Sequence, residues 1–187
     1  MSLKEKGFGQ RMDRMPGWAF RGMSFLFSIR DRFFPVDSRL EELPIREGMT
    51  VADYGCGPGS YIPRASRKVG PKGTVFAIDV HELAIEAVQK RVQKGGLANV
   101  KPVLAAKDRA PLEDESVDLV WAFDMFHMVS QPTAFLREIN RFAKSSALLF
   151  IDDGHQPRER TKAKILESGA WSIAEEKPEY LKCTPIK

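Results

Sequence analysis

The nine residues VADYGCGPG, Val51–Gly59, decide the fold, because an apolar strand runs here into a loop that contains three glycines. Glycine lets a chain turn tightly and bring bare backbone against a ligand, where a Cβ would stand in the way. A loop of this kind at the carboxyl end of a first strand is typical of ligand sites in open α/β sheets. Because a glycine-rich turn alone is a weak signal, the surrounding sequence has to support it.

Short β-rich runs alternate with helical stretches after this loop. The runs are TVADYG from Thr50, GTVFAID from Gly73, VKPVLAA from Val100, VDLVWAF from Val117 and ALLFID from Ala147. Helices are predicted at 61–69, 82–94, 133–142 and 158–168. This alternation predicts an α/β fold with a doubly wound, mostly parallel sheet. The tail differs, because WSIAEEKP and EYLKCTPI meet at Pro178 without room for a helix, which predicts an antiparallel hairpin.

An N-terminal helix is predicted between Pro16, which can open it, and Pro35, which must end it. Its apolar stripe consists of Met15, Trp18, Phe25, Ile29 and Phe33, with Phe20 and Phe27 outside it. This helix either caps the sheet edge, covers a substrate as a lid, or binds a membrane or partner. We divide the chain into this helical segment, residues 1–40, and a ligand-binding domain, residues 41–187.

The composition limits the class of protein. The chain has 187 residues, 43% of them hydrophobic, which suits one compact domain. Its net charge of +4 includes no block of like charge, so we expect no nucleic-acid partner. Two cysteines and no secretory leader indicate a cytoplasmic protein with free thiols. No run approaches the roughly 18 apolar residues of a membrane-spanning helix, so we expect none.

Two carboxylates identify the ligand class. Asp53 lies at the end of the first strand, where it would repel a pyrophosphate but attract the sulfonium and ammonium groups of S-adenosylmethionine. Ser60 occupies the position of the third glycine of a dinucleotide fingerprint, which also argues against NAD. Asp79 ends the second strand, where an α/β nucleoside site binds the ribose hydroxyls. The alternative is that Asp79 caps the helix that begins after His81.

A resemblance to a known family rests on VADYGCGPG, on Asp79 and on PLEDESVDLVWAFDMFHMV at 111–129. Residues 50–153 resemble the class I, Rossmann-like methyltransferases, in particular the ubiquinone/menaquinone-biosynthesis branch. The resemblance implies a seven-stranded sheet with an antiparallel last strand, and S-adenosylmethionine as cofactor. Residues 41–187 would form the cofactor-binding domain. The predicted cofactor contacts are Asp53, Gly55, Cys56, Gly57, Gly59, Asp79, Val80, Lys107, Asp108 and Phe123.

The chain departs from this family at two places. Ala106 stands where the family often has an adenine-binding acid, which leaves that contact to the backbone of Lys107 or to the side chain of Asp108. AKSS at 143–146 replaces a lysine-proline-glycine-glycine turn before the fifth strand.

Methyl transfer is an in-line displacement at an activated carbon, so positioning supplies much of the rate and a base is optional. If the acceptor has to lose a proton, Asp124, His127 and His155 are the candidates, and the choice stays open. Asp124, Asp152 and Asp153 could instead hold Mg²⁺, although the motifs favour the metal-independent branch, and we expect no metal. Cys56 is interpreted as a packing residue and not as a nucleophile.

The sequence therefore predicts a methyltransferase that acts on a small molecule, and the aromatic N-terminal helix favours an apolar or aromatic acceptor. Two alternatives remain: a non-catalytic S-adenosylmethionine-binding protein and an RNA or protein methyltransferase. An NAD-dependent oxidoreductase is disfavoured chiefly by Asp53.

Overall fold

The computed structural model describes residues 37–105 and 109–187, together with Gly22. The helical elements are α1 (Asp37–Glu42), α2 (Ile62–Val69), α3 (Glu82–Gly95), a 3₁₀ turn (Phe126–Met128), α4 (Pro132–Phe142) and α5 (Arg158–Glu167). The strands are β1 (Thr50–Tyr54), β2 (Thr74–Asp79), β3 (Val100–Leu104), β4 (Val117–Ala122), β5 (Ala143–Ile151), β6 (Trp171–Glu176) and β7 (Leu181–Pro185). The predicted N-terminal helix, apart from Gly22, and the predicted contacts Lys107 and Asp108 lie outside the described residues.

All seven strands form one sheet in the order β3-β2-β1-β4-β5-β7-β6. The first five run parallel to one another, and β7 is antiparallel to both β5 and β6. The predicted doubly wound sheet and its terminal hairpin are therefore confirmed. Because the chain order reverses between β1 and β4, the carboxyl ends of these strands open into a crevice.

The central strands β1 and β4 are buried on both faces, and their alternate residues enter two separate cores. Val51 of β1 packs with α2 and α3 residues such as Ile62 and Val88. Its neighbour Ala52 faces the other way, into the core that includes Leu136 of α4 and Ile165 of α5. This two-sided burial explains why the strands read as nearly continuous apolar runs.

The structure moves the start of the fifth strand from the predicted Ala147 to Ala143, and it adds two short helical elements, α1 and the 3₁₀ turn. The segment AKSS at 143–146 is not a turn, because α4 ends at Phe142 and β5 begins at the next residue. Ala143 already has an extended backbone, and the pairing of β4 with β5 shifts register between Val117 and Leu119 to absorb the extra residues. Neither α1 nor the 3₁₀ turn was predicted, because each is too short to leave a periodic pattern.

In the described part of the chain, no helix has both the length and the apolar character that a membrane crossing would need.

Candidate functional site

The glycine loop after β1 is held against the end of β2. The amides of Gly55 and Cys56 both donate to the carbonyl oxygen of Ile78, at 2.8 and 3.0 Å. Gly57 has φ +50° and open space where a Cβ would stand, so its backbone is accessible to a ligand. A Cβ at Gly55 would instead lie 2.6 Å from the Met125 side chain, and one at Gly59 would lie 3.0 Å from Val88. Of the three glycines, Gly57 therefore has the open face that the sequence predicted for the loop.

Asp79 joins this loop to the start of α3. One carboxylate oxygen accepts a 2.9 Å hydrogen bond from the amide of Gly57, and the other accepts from the amide of His81 at the same distance. The cap of α3 is His81, whose Nδ1 accepts from the amide of Leu83. Burial raises the pKa of Asp79, and the two backbone donors oppose that effect. Each carboxylate oxygen keeps a lone pair with which to bind a hydroxyl group.

Asp53 is a buried carboxylate in an unusual position. Its side chain is buried, and its Oδ2 has no hydrogen-bond partner among the described residues. Burial raises the pKa of Asp53 well above its ordinary value, and the nearby charges of Asp79 and Asp124 add to the shift. A buried carboxylate with one oxygen left without a hydrogen bond is costly, and a cationic ligand would relieve that cost.

These features fit S-adenosylmethionine, which brings positive charge for Asp53, ribose hydroxyls for Asp79 and a chain that can lie along Gly57. The other predicted contacts lie around the loop. Phe123 is buried, with its ring 5.9 Å from that of Tyr61 in an edge-to-face arrangement. Val80 is partly buried and packs on the apolar core. The thiol of Cys56 is buried and its pKa is raised well above the ordinary value by burial, which agrees with a packing residue.

A cavity of about 460 Å³ opens beside this loop, at the ends of β4 and β5. Most of its lining side chains are charged or polar. They are Arg39, Asp124, His127, Asp152, Asp153, Gly154, His155, Pro178 and Glu179. The structure thus brings together the three predicted base candidates, Asp124, His127 and His155, and all three aspartates of the metal hypothesis, Asp124, Asp152 and Asp153.

Arg39 links the first two of these aspartates. Its guanidinium lies 3.2 Å from Asp124 and 3.0 Å from Asp152, and 5.6 Å from the centre of the Phe123 ring. Asp124 has φ +59°, and its amide donates to both carboxylate oxygens of Asp152 at 2.9 and 3.0 Å. Burial and the charge of Asp124 raise the pKa of Asp152 to about 6. The sequence did not identify Arg39, because it lies 85 residues before Asp124.

The third aspartate has a different partner. Asp153 receives a 2.7 Å hydrogen bond from Arg158, which also donates to the carbonyl oxygens of Lys177 and Pro178. No three potential ligand side chains within residues 37–105 and 109–187 are grouped as a metal ion would require. The three carboxylates bind guanidinium groups instead.

The two histidines meet on the cavity wall. Their ring centres are 4.9 Å apart and nearly perpendicular, with His155 exposed and His127 partly buried. Nδ1 of His127 is buried without a hydrogen-bond partner in the described ranges. Burial lowers the pKa of His127, and the neighbouring His155 lowers it further. Sequence reasoning missed Gly154, which makes room for the His127 ring.

Comparisons with known proteins identify the family of the domain. A family model described as a methyltransferase domain matches residues 45–183. The crystal structure of an S-adenosylmethionine-dependent methyltransferase from Aquifex aeolicus has a TM-score of 0.76 and 29% identity, covering 92% of this chain and all of that one. Demethylmenaquinone methyltransferase of Staphylococcus aureus is 29% identical over 118 residues. That match covers 63% of this chain and 48% of the relative.

An uncharacterised 37.1 kDa protein in transposon Tn4556 of Streptomyces fradiae is also 29% identical, over 114 residues. Those residues are 61% of this chain and 32% of that protein. The chain therefore matches less than half the length of each of these two curated relatives.

Proposed function

We propose that this chain, which belongs to the family of class I, S-adenosylmethionine-dependent methyltransferases, transfers a methyl group to a small molecule. The methyl donor is S-adenosylmethionine. The observation that carries the proposal is the buried Asp53 carboxylate, whose Oδ2 has no hydrogen-bond partner among the described residues and which directly precedes the open glycine loop. A loop that binds a pyrophosphate would need the opposite charge there.

The cofactor would lie across the ends of β1 and β2. Asp53 would offset its positive charge, the backbone of Gly57 would lie along it, and Asp79 would accept from the ribose hydroxyls. The bound cofactor supplies a methyl group on a sulfonium, which is already activated for displacement. The protein has to align the acceptor with that carbon and exclude water.

The cavity at the ends of β4 and β5 is the proposed acceptor site. It is next to the cofactor loop, because Asp124 on its wall is followed by Met125, whose side chain packs against Gly55. A volume of about 460 Å³ is in the range of small-molecule pockets and favours such an acceptor over a protein or RNA chain. One relative is named for a small acceptor, demethylmenaquinone.

The described wall of this cavity is polar, so it orients one polar end of the acceptor. The expectation of an apolar or aromatic acceptor body depends on the N-terminal helix, which lies outside the described residues, and it stays a prediction. A cytoplasmic location likewise stays a prediction, based on the composition.

The test is transfer of a labelled methyl group to a panel of small metabolites, with purified RNA and protein fractions as parallel acceptors. The proposal expects label in small molecules and its loss in Asp79→Ala. Label only in polymer would identify an RNA or protein methyltransferase. Tight cofactor binding without transfer to any acceptor would favour the non-catalytic alternative.

A further inference from the structure

The orientation of the His127 ring is fixed by Gly154. A Cβ added to Gly154 would overlap Nδ1 of His127 and lie 2.8 Å from Cε1 and 2.9 Å from Cγ of the same ring. Gly154 also has φ +53°, a conformation that glycine adopts at little cost. One edge of the imidazole is therefore packed directly on the backbone between β5 and α5.

The packed edge contains a nitrogen that cannot donate a hydrogen bond to the described protein. Nδ1 is buried and has no partner in the described ranges, so a proton there would be a buried N–H without an acceptor. A lone pair on Nδ1 avoids an unpaired buried donor, and this edge of the ring lies against Gly154. In a neutral imidazole the proton then lies on Nε2, on the opposite edge, and His127 is one of the residues that line the cavity.

On these contacts we propose that His127 is not the base of the reaction but a neutral hydrogen-bond donor, whose Nε2–H positions a methyl acceptor that carries an oxygen or nitrogen lone pair. This inference rests on the proposed function of the cavity. A base at this position would need the lone pair on Nε2 and would force the proton onto Nδ1, where it has no acceptor. His127 is thus a positioning residue that selects the class of acceptor.

The charged groups around the ring favour the neutral form on balance. Burial lowers the pKa of His127, His155 and Lys164 lower it further, and Asp124 opposes them. Asp152 and Asp153 on the same wall are bound to Arg39 and Arg158. The neighbouring carboxylates are therefore already paired with cations.

Nuclear magnetic resonance of the imidazole nitrogens tests the tautomer without any substrate. The chain has only three histidines, so the His127 signals can be assigned by comparison with His127→Gln and His155→Asn. We expect a neutral ring at pH 7 with the proton on Nε2, and a pKa of His127 below the ordinary histidine value. A proton on Nδ1 at pH 7, in either the neutral or the charged ring, would overturn the inference.

Two substitutions test the role in turnover. The amide nitrogen of glutamine can replace Nε2, whereas that of asparagine reaches only the position of Nδ1. We expect His127→Gln to keep the KM for the acceptor within about threefold and His127→Asn to raise it about tenfold, the size of one lost hydrogen bond. The kcat should change less than KM, and the Kd for S-adenosylhomocysteine should stay constant in both.

The outcomes separate this inference from the proposed function. Equal loss of kcat in both variants, together with loss of the acidic limb of the pH profile, would show a base and contradict the inference. A higher Kd for S-adenosylhomocysteine in both variants would show that His127 binds the cofactor, and it would also contradict the inference. If the wild type transfers no methyl group, the proposed function fails, and the tautomer measurement still decides the state of the ring.

Discussion

The carboxylates at the ends of β1 and β2 differ from those at the ends of β4 and β5 in whether an arginine neutralises them. These two groups form the two halves of the crevice. At the ends of β1 and β2, Asp53 and Asp79 form no ion pair with a described lysine or arginine, and Asp53 Oδ2 has no hydrogen-bond partner there. At the ends of β4 and β5, Asp152 and Asp153 are held by Arg39 and Arg158. In the proposed function, the first pair of carboxylates meets a cationic ligand, whereas the second pair, bound to arginines, forms part of the wall of a cavity.

The largest effect is expected at Asp79. Substitution by alanine removes the acceptors for the ribose hydroxyls and also releases the Gly57 and His81 amides. Loss of two hydrogen bonds to a charged group costs about 3 kcal/mol, which is roughly a hundredfold in Kd. Calorimetric titration with S-adenosylhomocysteine measures it. The exposed Asp114→Ala is the control and should bind within about twofold of the wild type.

An unchanged Kd in Asp79→Ala would mean that the nucleoside lies elsewhere, and the division of the crevice would be wrong.

Asp53 should show opposite effects on stability and on binding. Because folding raises its pKa well above the ordinary value, its ionisation destabilises the free protein, and the free energy of unfolding falls as the pH rises through that range. Asp53→Asn removes this penalty, so we expect a higher Tm without ligand. It also removes the charge that would offset the sulfonium, so the Kd for S-adenosylmethionine should rise by roughly tenfold.

Thermal unfolding and calorimetry of the same preparation give both numbers for Asp53→Asn. A lower Tm together with unchanged affinity would show that Asp53 is a structural residue.

The difference between the two halves also explains what could be predicted from the sequence. The cofactor half consists of a contiguous motif and a strand end, so the sequence alone predicts that Asp53, Gly57 and Asp79 lie together. The cavity half depends on contacts between distant segments, such as Arg39 with Asp152, 113 residues apart, and no local pattern encodes them. The strands were predicted by their apolar runs, whereas the start of β5 was missed because the residues AKSS at 143–146 are mostly polar and do not continue the apolar run that begins at Ala147.

Arg39 should contribute to stability and leave the cofactor half unchanged. Its removal leaves the buried Asp152 carboxylate without its cation, at a cost of about 1–2 kcal/mol, reduced because Arg39 is partly exposed. The pKa of Asp152 is raised from 3.8 to about 6, so its ionisation lowers stability as the pH rises through that window. In Arg39→Ala the pKa rises further, and the loss of stability should extend above pH 6.

Urea unfolding of the wild type and Arg39→Ala at several pH values measures this effect. A pH-independent difference, or a change in the Kd for S-adenosylhomocysteine beyond twofold, would contradict the separation of the two halves.

Substitution of Arg158 is expected to have the smallest effect on the free energy of unfolding. Its pair with Asp153 is partly exposed, so Arg158→Ala should lower the free energy of unfolding by less than about 1 kcal/mol. We expect the KM for the acceptor to rise, because Asp153 lines the cavity, and the affinity for the cofactor to stay unchanged. Steady-state kinetics with each substrate varied in turn separates these two parameters. A change in the KM for the cofactor alone would contradict the assignment of Asp153 to the acceptor cavity.

Calorimetric titration of the wild-type protein with S-adenosylmethionine, S-adenosylhomocysteine and NAD measures which ligand the crevice binds. We expect one site that binds both sulfur compounds and does not bind NAD. Well-folded protein that binds neither sulfur compound, or that binds NAD in their place, would contradict this expectation.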